Sequence, residues 1–243
     1  MIVVCAGLYG SGSTWLFNAV AEILRRKCTV DSIDSFYADD LTEEATTKVN
    51  AKIIVVKSHS PNATMVQFIE QSESKVLLST RDPRDCVASI MQRFWMPFEQ
   101  SLKLVKESGT ALLRLHERCK PLVLRYEDGF TEEIDGLRSI ADHVLGAVDE
   151  DTVAAVAHQL RPEAVKAKID ELITQGVFDG AAPSAQFEPK THWHPRHVGD
   201  LRTGKFLDVM TRSEAADILV ETAPFCRRFR YPSAISTSNP DTL

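Results

Sequence analysis

The tightest constraint on this chain sits at its start. A continuous apolar run, Ile2 to Ala6, is followed by Gly7-Leu8-Tyr9-Gly10-Ser11-Gly12-Ser13-Thr14 and then by a helical pattern. An apolar, β-branched run without alternation reads as a central parallel strand covered on both faces. From Trp15 to Arg26, Leu16, Val20, Ile23 and Leu24 recur at helical spacing. In a strand–glycine turn–helix unit, backbone N–H groups and the helix N-terminus favour a bound anion. The spacing GxxxxG-x-[ST] approaches a Walker A loop, but Ser13 stands where that loop carries the lysine that reaches a triphosphate. The anion cradle is kept, and the reading as a nucleotide or small-molecule kinase is weakened.

The same alternation continues. Ile53 to Val56, Val76 to Ser79 and Leu122 to Arg125 read as further buried strands. Helices are expected over Ala63 to Gln71 behind an Asn62 cap, from Arg84 to about Phe94 behind Pro83, and within Phe98 to Cys119. The stretch Thr131 to Gln175 is helical with breaks near Gly146 and Pro162, and a last helix covers Ser213 to Thr222. The acidic stretch Asp31 to Asn50 reads as a loop with a short helix, and Gly176 to Pro195 as a long loop. Alternating strands and helices imply an α/β three-layer sandwich with a central parallel sheet and right-handed crossovers. Ligands in such folds sit beyond the carboxyl ends of the strands, so the polar segments that follow the four strands should share one rim.

With 243 residues the chain suits one domain, 1–232, with a tail at 233–243 whose composition reads as disordered. A net charge of −6 argues against a nucleic-acid or membrane-surface binder, which needs a positive field. No apolar run approaches the ~20 residues that span a bilayer, and no signal-peptide pattern opens the chain. The five cysteines, Cys5, Cys28, Cys86, Cys119 and Cys226, form no CxxC pair, so reduced thiols in a cytoplasmic protein are the simple reading. His192, His194 and His197 have no helical ligand spacing and no nearby carboxylate pattern. We expect no metal there and read the loop that carries them as a lid.

Four segments, taken in order, resemble the motifs of PAPS-dependent sulfotransferases, which use 3′-phosphoadenosine-5′-phosphosulfate (PAPS). Ser11-Gly12-Ser13-Thr14-Trp15-Leu16 resembles PKSGTTWL, and Lys57-Ser58-His59-Ser60-Pro61 resembles KTHLP. Arg81 to Ser89 resembles RNPKDVAVS, and Arg125-Tyr126-Glu127-Asp128 is similar to the YED segment. The resemblance implies a P-loop-NTPase-like sulfotransferase fold, PAPS as donor and 3′-phosphoadenosine-5′-phosphate (PAP) as product, without a metal. It implies that Gly10, Ser11, Gly12, Ser13 and Thr14 form the phosphosulfate loop and that Trp15 stacks near the adenine. Arg81 and Ser89 would bind the 3′-phosphate and Tyr126 would lie near the base. Lys57 would stabilise charge on the departing oxygen, and His59 would be the general base, a role that suits an imidazole near neutral pH. Arg84 and Asp85 read as an ordinary charge pair in a first helical turn.

Gly10 departs from the family pattern, which has a lysine there. Either Lys57 suffices, or a cation comes from the C-terminal segment around Val198-Gly199-Asp200, where Arg196, Arg202 and Lys205 are the candidates. The acceptor, a hydroxyl or amine on a small molecule or glycan, is not readable from the sequence. Neither is the oligomeric state. A non-catalytic PAPS- or PAP-binding protein is the other alternative, favoured by Gly10 and disfavoured by the retention of Lys57 and His59.

Overall fold

The computed structural model describes residues 1–28, 33–41, 52–178 and 186–232. Five parallel strands form one sheet: β1 (Ile2–Gly7), β2 (Ile33–Tyr37), β3 (Ile53–Ser58), β4 (Lys75–Thr80) and β5 (Leu122–Arg125), in the order β2-β3-β1-β4-β5. The helices are α1 (Ser13–Lys27), α2 (Ala63–Gln71), α3 (Pro83–Phe94), α4 (Phe98–Cys119), α5 (Ile134–Leu145), α6 (Glu150–Leu160), α7 (Pro162–Thr174), α8 (Arg212–Glu221) and α9 (Ala223–Phe229).

Side chains alternate across the pleat of β1 and sort into two cores. Val3 and Cys5 pack with Val55 and Leu77 against α1, α5 and α6. Val4 and Ala6 pack with Ile54, Val56 and Leu78 against α2, α3 and α4. Helix on both faces is what a sheet without a polar face demands. The expected three-layer α/β architecture is thus the observed one. Among the described residues no helix is long and apolar enough to cross a membrane.

Two elements escaped the sequence reading. β2 falls within the stretch read as loop; Ile33-Asp34-Ser35-Phe36-Tyr37 lies half-buried at the sheet edge, so it carries neither a continuous apolar run nor a clean alternation. The short helix expected beyond it lies outside the described residues. Near the C-terminus α9 follows α8 directly, with Pro224 in its first turn. Residues 233–243 also lie outside the described range.

The register places the functional ends of the strands side by side. Tyr37 pairs with Lys57, Ala6 with Ser58, and Gly7 with Ser79. Every strand is parallel, so these ends share one rim.

Candidate functional site

On that rim lies a cavity of about 320 Å³, lined by the glycine loop, the ends of β2 and β3, α3 and the segment 186–205. Gly10, Gly12, Ser13, Thr14 and Trp15 are in its wall. Gly12 caps α1 in a left-handed conformation with φ 82°, offers no side-chain acceptor, and no acidic residue follows in the first turn. The start of α1 therefore keeps its partial positive charge for a ligand. Ser11 differs from expectation. Its N–H donates to Leu8 O and its hydroxyl to Leu8 O and Ser79 O, so it braces the turn and is not in the cavity wall.

Lys57 and His59 stand at the end of β3. Lys57 Nζ donates to Thr14 Oγ1 at 2.7 Å, tying the cation to the glycine loop. Burial, and then the charge of Arg93, push this amine down to about 7. His59 Nδ1 lies 2.7 Å from the carbonyl oxygen of Gly7. That bond requires the proton on Nδ1 and leaves Nε2 as a lone-pair acceptor. Burial, and then the Lys57 charge, lower the ring's pKa to about 3, so it stays neutral across the physiological range. Tyr9 stacks on it at 4.0 Å between centroids.

Asp39, which the sequence reading left within an acidic loop, fixes this turn. One oxygen accepts from Ser58 Oγ, His59 N and Ser60 N, and the other accepts from the Tyr37 hydroxyl. Burial alone would raise the carboxyl; the Ser58, Tyr37 and backbone hydrogen bonds outweigh it and hold it below its ordinary value.

Arg81, Ser89 and Tyr126 also line the cavity, against the glycine loop. Arg81 donates to Gly10 O at 3.1 Å and to Arg202 O at 2.8 Å, and its guanidinium lies 4.0 Å from the Tyr126 ring centroid. Its Nε is buried with no hydrogen-bond partner among the described residues. Tyr126 thus stacks on the arginine and donates its hydroxyl to Leu201 O.

Asp85 is not part of a surface pair with Arg84. It is 1% exposed, pairs with Arg81 at 3.4 Å, and accepts from Gly204 N and Phe206 N. Arg84 pairs instead with Asp82, which caps α3.

The three candidate cations of the C-terminal segment part company. Lys205 is buried in the cavity wall, 3.5 Å from Asp200; burial, and then Arg81, lower its pKa. Arg196 lies outside the wall, stacked on Trp95 at 3.2 Å. Arg202 also lies outside it, paired with Asp208 and Asp200.

Arg93, which the sequence reading passed over, enters the wall from the last turn of α3 and donates to His197 O at 3.1 Å. Ser89 lies four residues earlier on the same helix, a spacing that puts both on one face. His192, His194 and His197 also line the cavity, with Tyr37, Phe94, Phe187 and Trp193. Among the described residues no cluster of metal-ligating side chains is found.

Neither a family model nor a curated protein matches the sequence. Solved structures do. A mouse sulfotransferase, SULT7A1, complexed with PAP matches with a TM-score of 0.66 at 14% identity, covering 93% of this chain and 84% of that one. Retinol dehydratase with retinol and PAP matches at 0.64 and 15%, covering 95% and 83%. The same enzyme with androsterone and PAP matches at 0.64 and 14%, covering 99% and 83%. The fold of this chain is the one these PAP-bound proteins share.

Proposed function

We propose that the protein is a PAPS-dependent sulfotransferase that acts on a hydroxyl or amine of a small-molecule acceptor. The observation that carries this reading is one cavity wall. It brings the start of α1, which has no side-chain cap, Lys57 and His59 together with Ser89 and Arg81, whose buried Nε has no partner among the described residues. The 3′-phosphate suits Arg81 and Ser89, with Lys205 nearby, because a guanidinium matches a phosphate dianion in shape and charge. The 5′-phosphosulfate suits Gly12, Ser13, Thr14 and Lys57. Trp15 and Tyr126 remain for the nucleoside.

The transfer follows from these placements. The acceptor's lone pair forms the new bond to sulfur while its proton passes to His59 Nε2. The bond from sulfur to the bridging oxygen breaks, and its electron pair stays on the 5′-phosphate, where Lys57 stabilises it. A neutral imidazole held by Gly7 O has the tautomer this step needs. Retinol dehydratase holds retinol in one structure and androsterone in another, and Tyr9, Tyr37, Phe94 and Phe187 give this cavity aromatic walls of its own. All five cysteines are free thiols, in keeping with a cytoplasmic setting.

Titration calorimetry with PAP, its 3′-dephosphorylated analogue and ATP tests the donor assignment. PAP is expected to bind most tightly. The His59→Ala variant should keep that affinity while turnover of labelled PAPS falls roughly 10²–10⁴-fold. Equal affinity with and without the 3′-phosphate would remove the role given to Arg81 and Ser89.

A further inference from the structure

The resemblance leaves one charge unaccounted for. Gly10 stands where the matching motif has a lysine, and the backbone there excludes any side chain of ordinary fit. Its φ is +82°, and a Cβ would lie 3.1 Å from Ser89 Cβ and 3.5 Å from Cys86 Cα. The face of α3 that presses on Gly10 is the one that carries Ser89 and, one turn on, Arg93.

Among the cavity's cations, Arg81 has Asp85 and Lys205 has Asp200. Arg93 has no carboxylate partner among the described residues; its guanidinium donates to one backbone carbonyl, that of His197. A half-buried cation without a counter-charge is costly unless a ligand supplies the charge. The Arg93 charge helps to lower the pKa of Lys57, and Arg81 in turn lowers that of Arg93.

We propose that Arg93 grips the 5′-phosphosulfate of the donor from the α3 side, supplying the cation that position 10 cannot. This rests on the donor assignment made above. Arg93 then neutralises charge on the 5′-phosphate as the sulfuryl group leaves, opposite Lys57. Toward the 5′-phosphosulfate the C-terminal segment contributes the His197 carbonyl that aims the guanidinium, while its cation Lys205 stands by Arg81.

Calorimetric titration of PAP and of adenosine 5′-phosphate into the wild-type protein and its Arg93→Gln, Arg93→Lys and Arg81→Ala variants tests this, with thermal melts to confirm folding. Arg93→Gln should lose roughly 10- to 100-fold in affinity for both nucleotides, the span of a charge-assisted hydrogen bond. Arg93→Lys should recover part of that loss, even if the glutamine variant folds poorly. Arg81→Ala should lose much more affinity for PAP than for adenosine 5′-phosphate.

Wild-type PAP affinity in Arg93→Gln would overturn the proposal and assign the arginine to an anionic group on the acceptor. A loss seen with PAP alone would also overturn it and move Arg93 to the 3′ end. Failure of the wild-type protein to bind PAP is a separate result that would remove the donor assignment and this inference together.

Discussion

Lys57 is the residue whose state changes most when an anion arrives. With its amine pushed down to about 7 by burial and then by Arg93, against the opposing pull of Asp39 and Cys5, it is mostly neutral at pH 8. A bound phosphosulfate or phosphate favours the ammonium and raises the pKa again. PAP binding at pH 8 should therefore take up close to one proton, and the uptake should fade below pH 6, where Lys57 is already charged. Calorimetry in two buffers of different ionisation enthalpy reads this directly; no uptake at pH 8 would mean that the anion binds away from Lys57. Lys57, His59, Arg81 and Ser89 were legible in the sequence because each sits at a strand end or on the first turns of the next helix, where backbone geometry dictates direction. Arg93 was not, because an arginine in the last turn of an amphipathic helix ordinarily faces solvent. Arg196 and Arg202 were misplaced because loop side chains follow local φ and ψ: Leu201, beside Arg202, has φ 57°, and no spacing rule foretells that turn.

At the scale of elements, α3 organises the site. Asp82 caps it, Pro83 occupies its first turn, and Asp85, Ser89 and Arg93 recur every four residues along one face. Asp85 accepts the N–H groups of Gly204 and Phe206 and pairs with Arg81, so it couples the C-terminal segment to that arginine. Replacing it by alanine leaves a buried guanidinium and two backbone donors without their acceptor. Asp85→Ala should cost about 3–5 kcal/mol, the range for breaking a buried ion pair from one side. If PAP binds as proposed, it returns negative charge to Arg81 and should offset more of that loss than it stabilises the wild type. Denaturant midpoints with and without PAP measure both effects; an unchanged midpoint would show that Asp85 anchors nothing. The sequence disclosed the capped helix but not this bridge, because its two ends are 121 residues apart. β2 was hidden for a related reason, since a half-buried edge strand owes its pairing to β3 rather than to its own pattern.

Across the whole molecule, folding places four histidines in one cavity wall and keeps them neutral. Burial is the leading cause for each, lowering His59 to about 3, His192 to about 4 and His194 to about 3, with His197 also well below its ordinary value. Lys57 adds to the effect at all four, and Arg93 at His194 and His197. In the unfolded chain the same rings titrate near pH 6.5. The sign follows from linkage: as pH falls below about 6.5 the unfolded state binds protons that the folded state refuses, so stability is present in full above that point and is lost below it. Each histidine contributes a slope of up to about 1.4 kcal/mol per pH unit between its two pKa values. Asp39, held below its ordinary value, acts in the same direction once the pH nears 4. Thermal unfolding should therefore fall modestly in temperature from pH 8 to 7, where the unfolded Lys57 holds a proton that the folded amine mostly lacks, and more steeply from pH 6.5 to 4.5, where the histidines add up. His194→Asn should make that decline shallower. A melting temperature flat down to pH 5 would mean that the cavity opens to water and lets the imidazoles charge without unfolding, and the transfer proposed above would then lose its dry, neutral base.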